Sequence, residues 1–311
     1  MDQLEDVRER LDRYRDQGLA EVQGWFEPES AELMADLLLH QLDLGLGGGV
    51  AEIGVHHGRS FLLLANGLGP GESAVALDVF EHQEQNTDHS GRGDRGRFED
   101  NLERWAPGVP VAVVARSSLD VSVEDAREVF GRPRMFSVDG GHTAEITRHD
   151  LELAEASLGE GGVVVLDDML NGHWLGVLTG TATYLLDQPR LVPFALSPNK
   201  LYLADTPEAA RDYAEHLRSA VPDLLGKRDV EFFGTTVDVY GQGAPRHRQA
   251  AAPAATLAAA LTPDLRSARA VARRAQREAA SLADQLAELH ASHSWRATAP
   301  LRVVGRLVRR P

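Results

Sequence analysis

The sequence of 311 residues contains no cysteine. This absence excludes disulfide bonds, thiolate metal sites, iron–sulfur clusters and cysteine nucleophiles. Long apolar runs are also missing, and a run such as residues 162–166 is far too short to span a bilayer. The first residues are charged and contain no apolar segment of the kind that a signal peptide needs. We therefore expect a cytoplasmic protein.

Positive charge is scarce over most of the chain. The formal net charge is −15, but residues 250–311 contain ten arginines and four acids, so this stretch carries +6 and the first 249 residues carry −21. An acidic body lacks the basic face that phosphate contacts require, which argues against a nucleic-acid partner. The basic end could instead contact the inner face of a membrane, a glycosyltransferase partner or another copy of the chain.

Short apolar strands alternate with helical patterns along most of the chain. The strand candidates are GGGVAEIGV, SAVALDVF, PVAVVARSS, RMFSVDGGH and GEGGVVVLDDM, followed later by NKLYLAD and EFFGTTVDVYG. The run VVVL is typical of a strand that is buried on both faces of a parallel sheet. The alternation predicts an α/β fold, a doubly wound Rossmann-like sheet that is mostly parallel, with an antiparallel C-terminal strand.

The pattern also predicts how the chain is organised. Residues 1–44 are expected to form N-terminal helices, at 2–17 and 29–43, and residues 45–243 the sheet domain. Residues 244–256 are a linker rich in proline and alanine, and residues 257–311 are a heptad-patterned helix with a basic tail. The heptad positions are Leu261, Leu265, Ala268, Ala272, Ala275, Ala279, Leu282, Leu286 and Leu289. Such a seam favours a coiled coil, so we expect a homo-oligomer; the alternative is a lone helix that lies on the body.

The turn after the first strand has the features of a nucleotide site. Glycine there lets the backbone approach a ligand closely, but the pattern is not the GxGxxG of a dinucleotide site. An acid just before the glycines suits a cationic ligand, and S-adenosylmethionine carries both an ammonium and a sulfonium group. An acid at the end of the second strand can accept hydrogen bonds from both ribose hydroxyls. The candidate cofactor residues are Glu52, Gly54, Gly58, Ser60 and Asp78, with Ser117 and Ser118 at the height of adenine.

Three acids follow the fourth and fifth strands. Asp139 ends the fourth strand, and Asp167 and Asp168 end the fifth. Because these strands are neighbours in a doubly wound sheet, their carboxylates converge and would repel one another without a cation or protons. Hard oxygen ligands without thiols suit Mg²⁺, or else Mn²⁺ or Ca²⁺, rather than zinc. His142 follows Asp139 by three residues and is a candidate general base for a hydroxyl group.

These motifs resemble those of the class I S-adenosylmethionine-dependent methyltransferases. More closely, AEIGVHHGRS, LDVFEHQ, VDGGHTAEITRHDL and GGVVVLDDM resemble the Mg²⁺-dependent sugar O-methyltransferases of the macrocin and mycinamicin type, in a broad family that includes cephalosporin hydroxylase-like proteins. The resemblance covers roughly residues 45–243. It implies a methyltransferase domain in which Asp139, Asp167 and Asp168 hold the metal and His142 is the base. It also implies that Asn171 and Trp174, in LNGHWLGV, contact the acceptor.

The resulting hypothesis is a metal-assisted O-methyltransferase that acts on a sugar hydroxyl, in bacterial surface-polysaccharide or glycosylated natural-product biosynthesis. The metal would bind two neighbouring hydroxyls, and His142 would remove the proton. One alternative is methylation of a catechol-type diol, which ranks lower because aromatic residues are few: four Trp, five Tyr and nine Phe. Another alternative is a non-catalytic scaffold of a polysaccharide assembly complex, with the heptad segment as its active part.

Overall fold

The apolar strands of the sequence assemble into one nine-stranded sheet in the computed structural model, which describes residues 3–241. The predicted linker and heptad helix, residues 244–256 and 257–311, lie outside the described residues. The strands are β1 (Val50–Ile53), β2 (Ala74–Asp78), β3 (Val111–Ala115), β4 (Met135–Val138), β5 (Val163–Leu166), β6 (Val192–Leu196), β7 (Leu201–Ala204), β8 (Leu225–Phe232) and β9 (Thr235–Tyr240).

Helices cover both faces of this sheet. They are α1 (Gln3–Arg13), α2 (Leu19–Glu21), α3 (Pro28–Asp43), α4 (Phe61–Asn66), α5 (Arg95–Trp105), α6 (Ala126–Phe130), α7 (Ala144–Ser157), α8 (Leu175–Leu186) and α9 (Pro207–Ala220). A π-helical turn, Tyr14–Gly18, joins α1 to α2. Within residues 3–241, no helix has the length and apolar character that a membrane span requires.

The strand order is β3-β2-β1-β4-β5-β7-β6-β9-β8. Strands β1 to β5 are all parallel, whereas β7 runs antiparallel to both β5 and β6. Strand β9 pairs in parallel with β6, and β8 closes the sheet as an antiparallel edge. This confirms the predicted doubly wound, mostly parallel sheet with antiparallel pairing at its C-terminal side. The order reverses between β1 and β4, and a ligand crevice opens at the carboxyl ends of strands at such a point.

Three local predictions are corrected by the structure. Strand β6 was not predicted, since Pro193 interrupts its apolar run. The segment EFFGTTVDVYG is not one strand, because Phe233 and Gly234 both have positive φ and turn the chain between β8 and β9. The polar loop predicted for residues 81–97 ends earlier, where the Asp94 side chain accepts a hydrogen bond from Arg97 N and caps α5.

The alternation of side chains along the strands divides the core into two layers. In β5, Val163 and Val165 pack with the N-terminal helices, α4 and α9, while Val164 and Leu166 pack with α6, α7 and α8. Leu11 of α1 and Leu37 of α3 are fully buried in the first layer. The predicted N-terminal helices therefore share one hydrophobic core with the sheet domain.

A buried arginine ties the first layer together. Arg134 precedes β4, has no exposed surface, and donates to Glu72 Oε1 at 3.0 Å, to Gln41 Oε1 at 2.9 Å and to the Gly67 carbonyl at 2.7 Å. Burial opposes the charge of Glu72, but the guanidinium outweighs burial and lowers the pKa of this carboxyl. A guanidinium can be buried in this way because each of its donors finds an oxygen.

We predict that Arg134→Met lowers the free energy of unfolding by about 3–5 kcal/mol, because it leaves a largely buried carboxylate without its cation. Urea denaturation measures the loss. The matched control is Arg211→Met, which removes an exposed pair with Glu208 and should change stability by about 0.5 kcal/mol or less.

The same pair makes stability depend on pH. Because the folded state holds the pKa of Glu72 below its ordinary value of 4.5, its contribution is present above that pH and is lost as the pH falls through the lowered pKa. The stability difference between wild type and Arg134→Met should therefore shrink in acid. An equal loss from Arg134→Met and Arg211→Met would contradict this account.

Candidate active site

One cavity of about 470 Å³ opens at the carboxyl ends of β1, β2, β4 and β5. Two clefts of similar volume lie elsewhere on the described part of the chain, beside Arg127 and beside Arg10, and contain none of the predicted site residues. The cavity brings together most of them: Gly54, Ser60, Asp78, Ser117, Ser118, Asp139, His142, Asp167, Asp168, Asn171 and Trp174. Convergent polar groups in a concave site are typical of a binding or active site.

Gly54 makes the junction between the two halves of the cavity. Its φ is +83°, and a Cβ atom there would lie 1.7 Å from the carbonyl oxygen of Asp139. The Gly54 N–H donates to Leu77 O, and the Asp139 N–H donates to Ile53 O, both at 2.8 Å. The ends of β1, β2 and β4 are therefore pressed together in a way that only glycine permits.

Asp78 lines the half of the cavity at the ends of β1, β2 and β3. Its Oδ2 accepts from the His56 N–H and its Oδ1 from the Phe80 N–H, both at 2.7 Å. Burial raises the pKa of this carboxyl, although these amides oppose the shift. Each oxygen has a further lone pair for the hydroxyls of a ligand.

Glu52 and Gly58 depart from the prediction, because neither lines the cavity. Side chains alternate along β1, so Glu52 shares the face of Val50 and is fully buried behind the turn. Burial raises its pKa to about 7, although Ser137 and Ser60 oppose the shift. Gly58 packs against the ring of Phe98, where a Cβ would come within 2.9 Å.

Ser117 and Ser118 line the same half of the cavity, at the end of β3. The Ser117 N–H donates to Gln85 Oε1 at 3.1 Å, and the Ser117 hydroxyl accepts from the Leu119 N–H. Ser118 is buried and begins a short 3₁₀ turn, Ser118–Asp120. Both residues therefore sit on a turn that is fixed against the loop between β2 and α5.

Two carboxylates and an imidazole converge in the other half of the cavity. Asp139, His142 and Asp168 each offer a ligand atom, and these atoms lie within 4.8 Å of one another. Burial raises the pKa of Asp139 well above its ordinary value, and the charge of Asp167 adds to this shift. Clustered carboxylates of this kind hold a cation or retain protons.

Asp167 differs from the prediction that it completes the metal ligand set. Its Oδ2 lies 2.5 Å from the Nζ of Lys200, which is fully buried, and its Oδ1 accepts from the Asp168 N–H at 2.8 Å. The lysine partner sets Asp167 apart from Asp139, His142 and Asp168, whose ligand atoms lie together. A buried ammonium next to Asp167 also supplies internal charge compensation for the acids.

His142 stands between two carboxylates. Its Nε2 lies 2.8 Å from Asp168 Oδ2 and its Nδ1 lies 2.8 Å from Asp88 Oδ2. Burial opposes a charge on the ring, but the hydrogen bonds to Asp168 and Asp88 outweigh it and raise its pKa to about 10. The ring also stacks on Trp174, with centroids 4.4 Å apart. Thr143 caps α7 directly after it, which fixes where the backbone leaves the loop.

Asp168 is held by amides in an unusual backbone conformation. Its φ is +57°, and its Oδ1 accepts from Asn171 Nδ2 at 2.9 Å and from Asn199 Nδ2 at 2.5 Å. These bonds aim its carboxylate at His142. Asn171 thus orients an acid of the cluster and Trp174 packs on the imidazole; that either one contacts an acceptor stays a prediction.

The sequence patterns did not identify Asp88, Asn199 and Lys200 as site residues. Asp88 lies in a polar loop whose course no periodicity specifies. Lys200 precedes β7, and the pairing of Leu201 with Leu166 places it beside Asp167. That pairing skips β6, so chain order alone does not reveal it. The signal that was present is the rarity of lysine, which occurs twice in 311 residues.

Comparisons with known proteins support one class of function. Residues 51–169 match a family model described as "Methyltransferase domain". This stretch contains the turn after β1, the Asp78 region and all the acids of the cluster. No curated protein matches the chain.

Solved structures of O-methyltransferases are similar at low identity. NovP is 13% identical, covering 57% of this chain and 80% of its own, with a TM-score of 0.46. An O-methyltransferase from Bacillus cereus in complex with SAH is 19% identical, covering 64% and 90%, with a TM-score of 0.45. CalS11, a TDP-rhamnose 3'-O-methyltransferase, is 17% identical, covering 64% and 92%, with a TM-score of 0.43. Structural similarity at this level of identity does not identify the substrate of this chain.

The family match and the sheet topology agree with the resemblance that the sequence motifs carry. The matched residues supply β1 to β5 and most of the residues that line the cavity. Residues 51–169 of this chain therefore match a methyltransferase domain, and they lie on a Rossmann-like sheet.

Proposed function

We propose that this chain is a metal-dependent O-methyltransferase that transfers the methyl group of S-adenosylmethionine to a sugar hydroxyl. One observation carries the proposal. A single cavity contains Gly54 and Asp78, which suit a nucleotide, and next to them a cluster of two carboxylates and an imidazole. Methyl transfer to oxygen needs both halves, since the donor and an activated hydroxyl must meet in line.

The nucleotide half suits S-adenosylmethionine. Asp78 is fixed by two backbone amides and keeps acceptor capacity for ribose hydroxyls. Gly54 lines the cavity at the end of β1 and lets the backbone there pack against the Asp139 carbonyl. Ser117 and Ser118 line the side of the cavity away from the acids, which suits adenine. Glu52, behind the turn, would act on the cofactor only through the backbone or through water.

The acid half suits Mg²⁺, with Mn²⁺ or Ca²⁺ as alternatives. The donor set offers carboxylate oxygens, which are the ligands these cations take, and Mg²⁺ is commonly held by one or two carboxylates together with water or substrate. Asp139 and Asp168 would hold it. A bound divalent cation supplies Lewis acidity that lowers the pKa of a coordinated hydroxyl.

His142 supplies the proton acceptor. Its Nε2 faces the acid cluster, so a hydroxyl placed there is within reach of the ring. Trp174 stacks on the imidazole, and only 9% of the His142 side chain is exposed. In the proposed reaction the hydroxyl proton would pass to Nε2 and the hydroxyl oxygen would form its bond to the methyl carbon, while the bond between that carbon and the sulfonium sulfur breaks and S-adenosylhomocysteine leaves.

The acceptor is proposed to be a sugar, in the biosynthesis of a bacterial surface polysaccharide or a glycosylated natural product in the cytoplasm. The cavity wall is rich in hydrogen-bonding side chains. Trp25 and Trp174 are the only Phe, Trp or Tyr side chains that line it within residues 3–241, and Trp174 already stacks on His142. A catechol-type acceptor, which packs between apolar rings, therefore remains the second candidate.

Binding of the cofactor depends on Asp78 in this proposal. We predict that Asp78→Ala weakens the binding of S-adenosylmethionine by about 1–3 kcal/mol, the range for lost charge-assisted hydrogen bonds. The loss should be the same with and without added metal. Isothermal calorimetry measures it, with Asp100→Ala, an exposed acid on α5, as the matched control. If a folded Asp78→Ala protein binds the cofactor with unchanged affinity, the nucleotide site does not lie at Asp78. If the wild type does not bind the cofactor at all, a non-catalytic scaffold is favoured.

Turnover should require a divalent cation and a sugar. With radiolabelled S-adenosylmethionine, at least one member of a panel of nucleotide sugars that includes TDP-rhamnose should become labelled. Catechol should not become labelled. EDTA should abolish the transfer and Mg²⁺ restore it, because the carboxylates need the ion to engage a hydroxyl. Asp168→Ala should require at least tenfold more Mg²⁺, unlike Asp187→Ala, which removes an exposed acid. Full activity in EDTA, with no metal retained, would overturn the metal mechanism.

The role of His142 is tested separately. His142→Ala should lower kcat by about 10²–10⁴-fold, the usual range for a positioned base, while affinity for the cofactor stays the same. Because the ring must lose its proton before it can accept another, the wild-type rate should rise towards alkaline pH. Steady-state rates across pH should show this limb in wild type and not in His142→Ala. A near-normal kcat in the variant would remove only the base from the proposal.

A further inference from the structure

The loop between β2 and α5 forms part of the cavity wall, and most of it follows the motif LDVFEHQ. Its Gln83, Asn86, His89 and Gly91 line the cavity together with the acid cluster. Asn86 Nδ2 donates to Ser90 O at 2.6 Å and to Gly91 O at 3.0 Å, which folds the loop back on itself. The loop is therefore shaped by its own polar side chains rather than by a hydrophobic core.

This loop is fixed to both halves of the cavity. On the nucleotide side, Gln85 Oε1 accepts from the Ser117 N–H at 3.1 Å. On the acid side, Asp88 Oδ2 accepts from the backbone N–H of His142 and lies 2.8 Å from its ring Nδ1. The Ser90 N–H holds the other oxygen of Asp88 at 2.9 Å. Asp88 and His142 each expose only 9% of their side chains, so the contact is sheltered from water.

The two carboxylates beside the ring differ in where they lie. A carboxylate accepts and does not donate, so Asp88 holds a proton on Nδ1 of His142 and Asp168 holds one on Nε2. Asp168 lines the cavity and Asp88 does not, so Nε2 is the nitrogen that can exchange its proton with a ligand there, while Nδ1 keeps its own. A partner on one imidazole nitrogen sets the tautomer and the orientation of the other in this way at metal and catalytic sites.

We propose that Asp88 is a positioning residue for methyl transfer, which holds the His142 ring so that Nε2 faces the acceptor hydroxyl. The inference rests on the proposed role of His142 as the base. Asp88 acts through His142 and contacts neither reactant. During the transfer, the hydroxyl proton goes to Nε2, the Nδ1 proton stays with the imidazole, and Asp88 stabilises the resulting imidazolium.

The test compares variants of the full chain by rate and by spectroscopy. Asp88→Ala should lower kcat for the sugar acceptor by about 10–100-fold, as is usual when an orienting partner is removed. The Kd for S-adenosylmethionine should stay within about twofold. Asp88→Asn, which keeps an acceptor oxygen but no charge, should recover part of the loss. Glu84→Gln is the matched control, since Glu84 is an exposed acid of the same loop.

Nuclear magnetic resonance of ¹⁵N-histidine-labelled protein with S-adenosylhomocysteine and Mg²⁺ needs no acceptor. Wild type should show a downfield Nδ1–H proton that is absent from both Asp88→Ala and His142→Ala. The double variant should be no slower than His142→Ala alone, because both changes remove one unit.

Three results would overturn the proposal: a normal kcat in Asp88→Ala, a retained Nδ1–H signal in that variant, or a further rate loss in the double variant. A loss of cofactor affinity without a change in kcat would also overturn it and make Asp88 a loop contact only. If His142→Ala has a normal kcat, the base itself fails. That outcome is distinguishable, because the spectrum still reports whether Asp88 orients the ring.

Discussion

The close approach of Gly54 to the Asp139 carbonyl is the constraint on which the site depends. No side chain fits between these atoms, so the backbones at the ends of β1 and β4 are in direct contact. This contact sits at the reversal of strand order, where a doubly wound sheet opens its crevice. As a result, the residues that suit a nucleotide and the residues that suit a metal ion and a hydroxyl share one cavity.

Negative charge at this edge of the sheet is offset in part by side chains of the protein. Four acids, Glu52, Asp139, Asp167 and Asp168, lie within electrostatic range of one another, and burial raises the pKa of Glu52 and of Asp139. The ammonium of Lys200 offsets the charge of Asp167, and the imidazole of His142 lies beside Asp168. The division of labour follows from these contacts, since Asp139 and Asp168 are directed at the shared space and Asp167 is directed at the lysine.

The sequence predicts the parallel strands and the residues at their ends well, because buried strands are written as apolar runs and their carboxyl ends meet at one edge. The burial of Glu52 could also have been predicted, because side chains alternate along β1 and Glu52 shares the face of Val50, away from the cavity. The sequence could not place Lys200, which depends on β7 pairing with β5 rather than with its neighbour in the chain. Asp88 was equally beyond reach, because a polar loop has no periodicity to follow.

The central claim is that methyl donor and metal ion occupy the two halves of one cavity. The most direct measurement is anomalous X-ray diffraction from crystals of the chain with S-adenosylhomocysteine and Mn²⁺. The account predicts one manganese peak at roughly 2–2.3 Å from carboxylate oxygens of Asp139 and Asp168, with the cofactor ribose on Asp78 and its sulfur directed at the metal. Cofactor bound on Asp78 with no manganese at these two acids, or manganese there with the cofactor bound elsewhere, would contradict it.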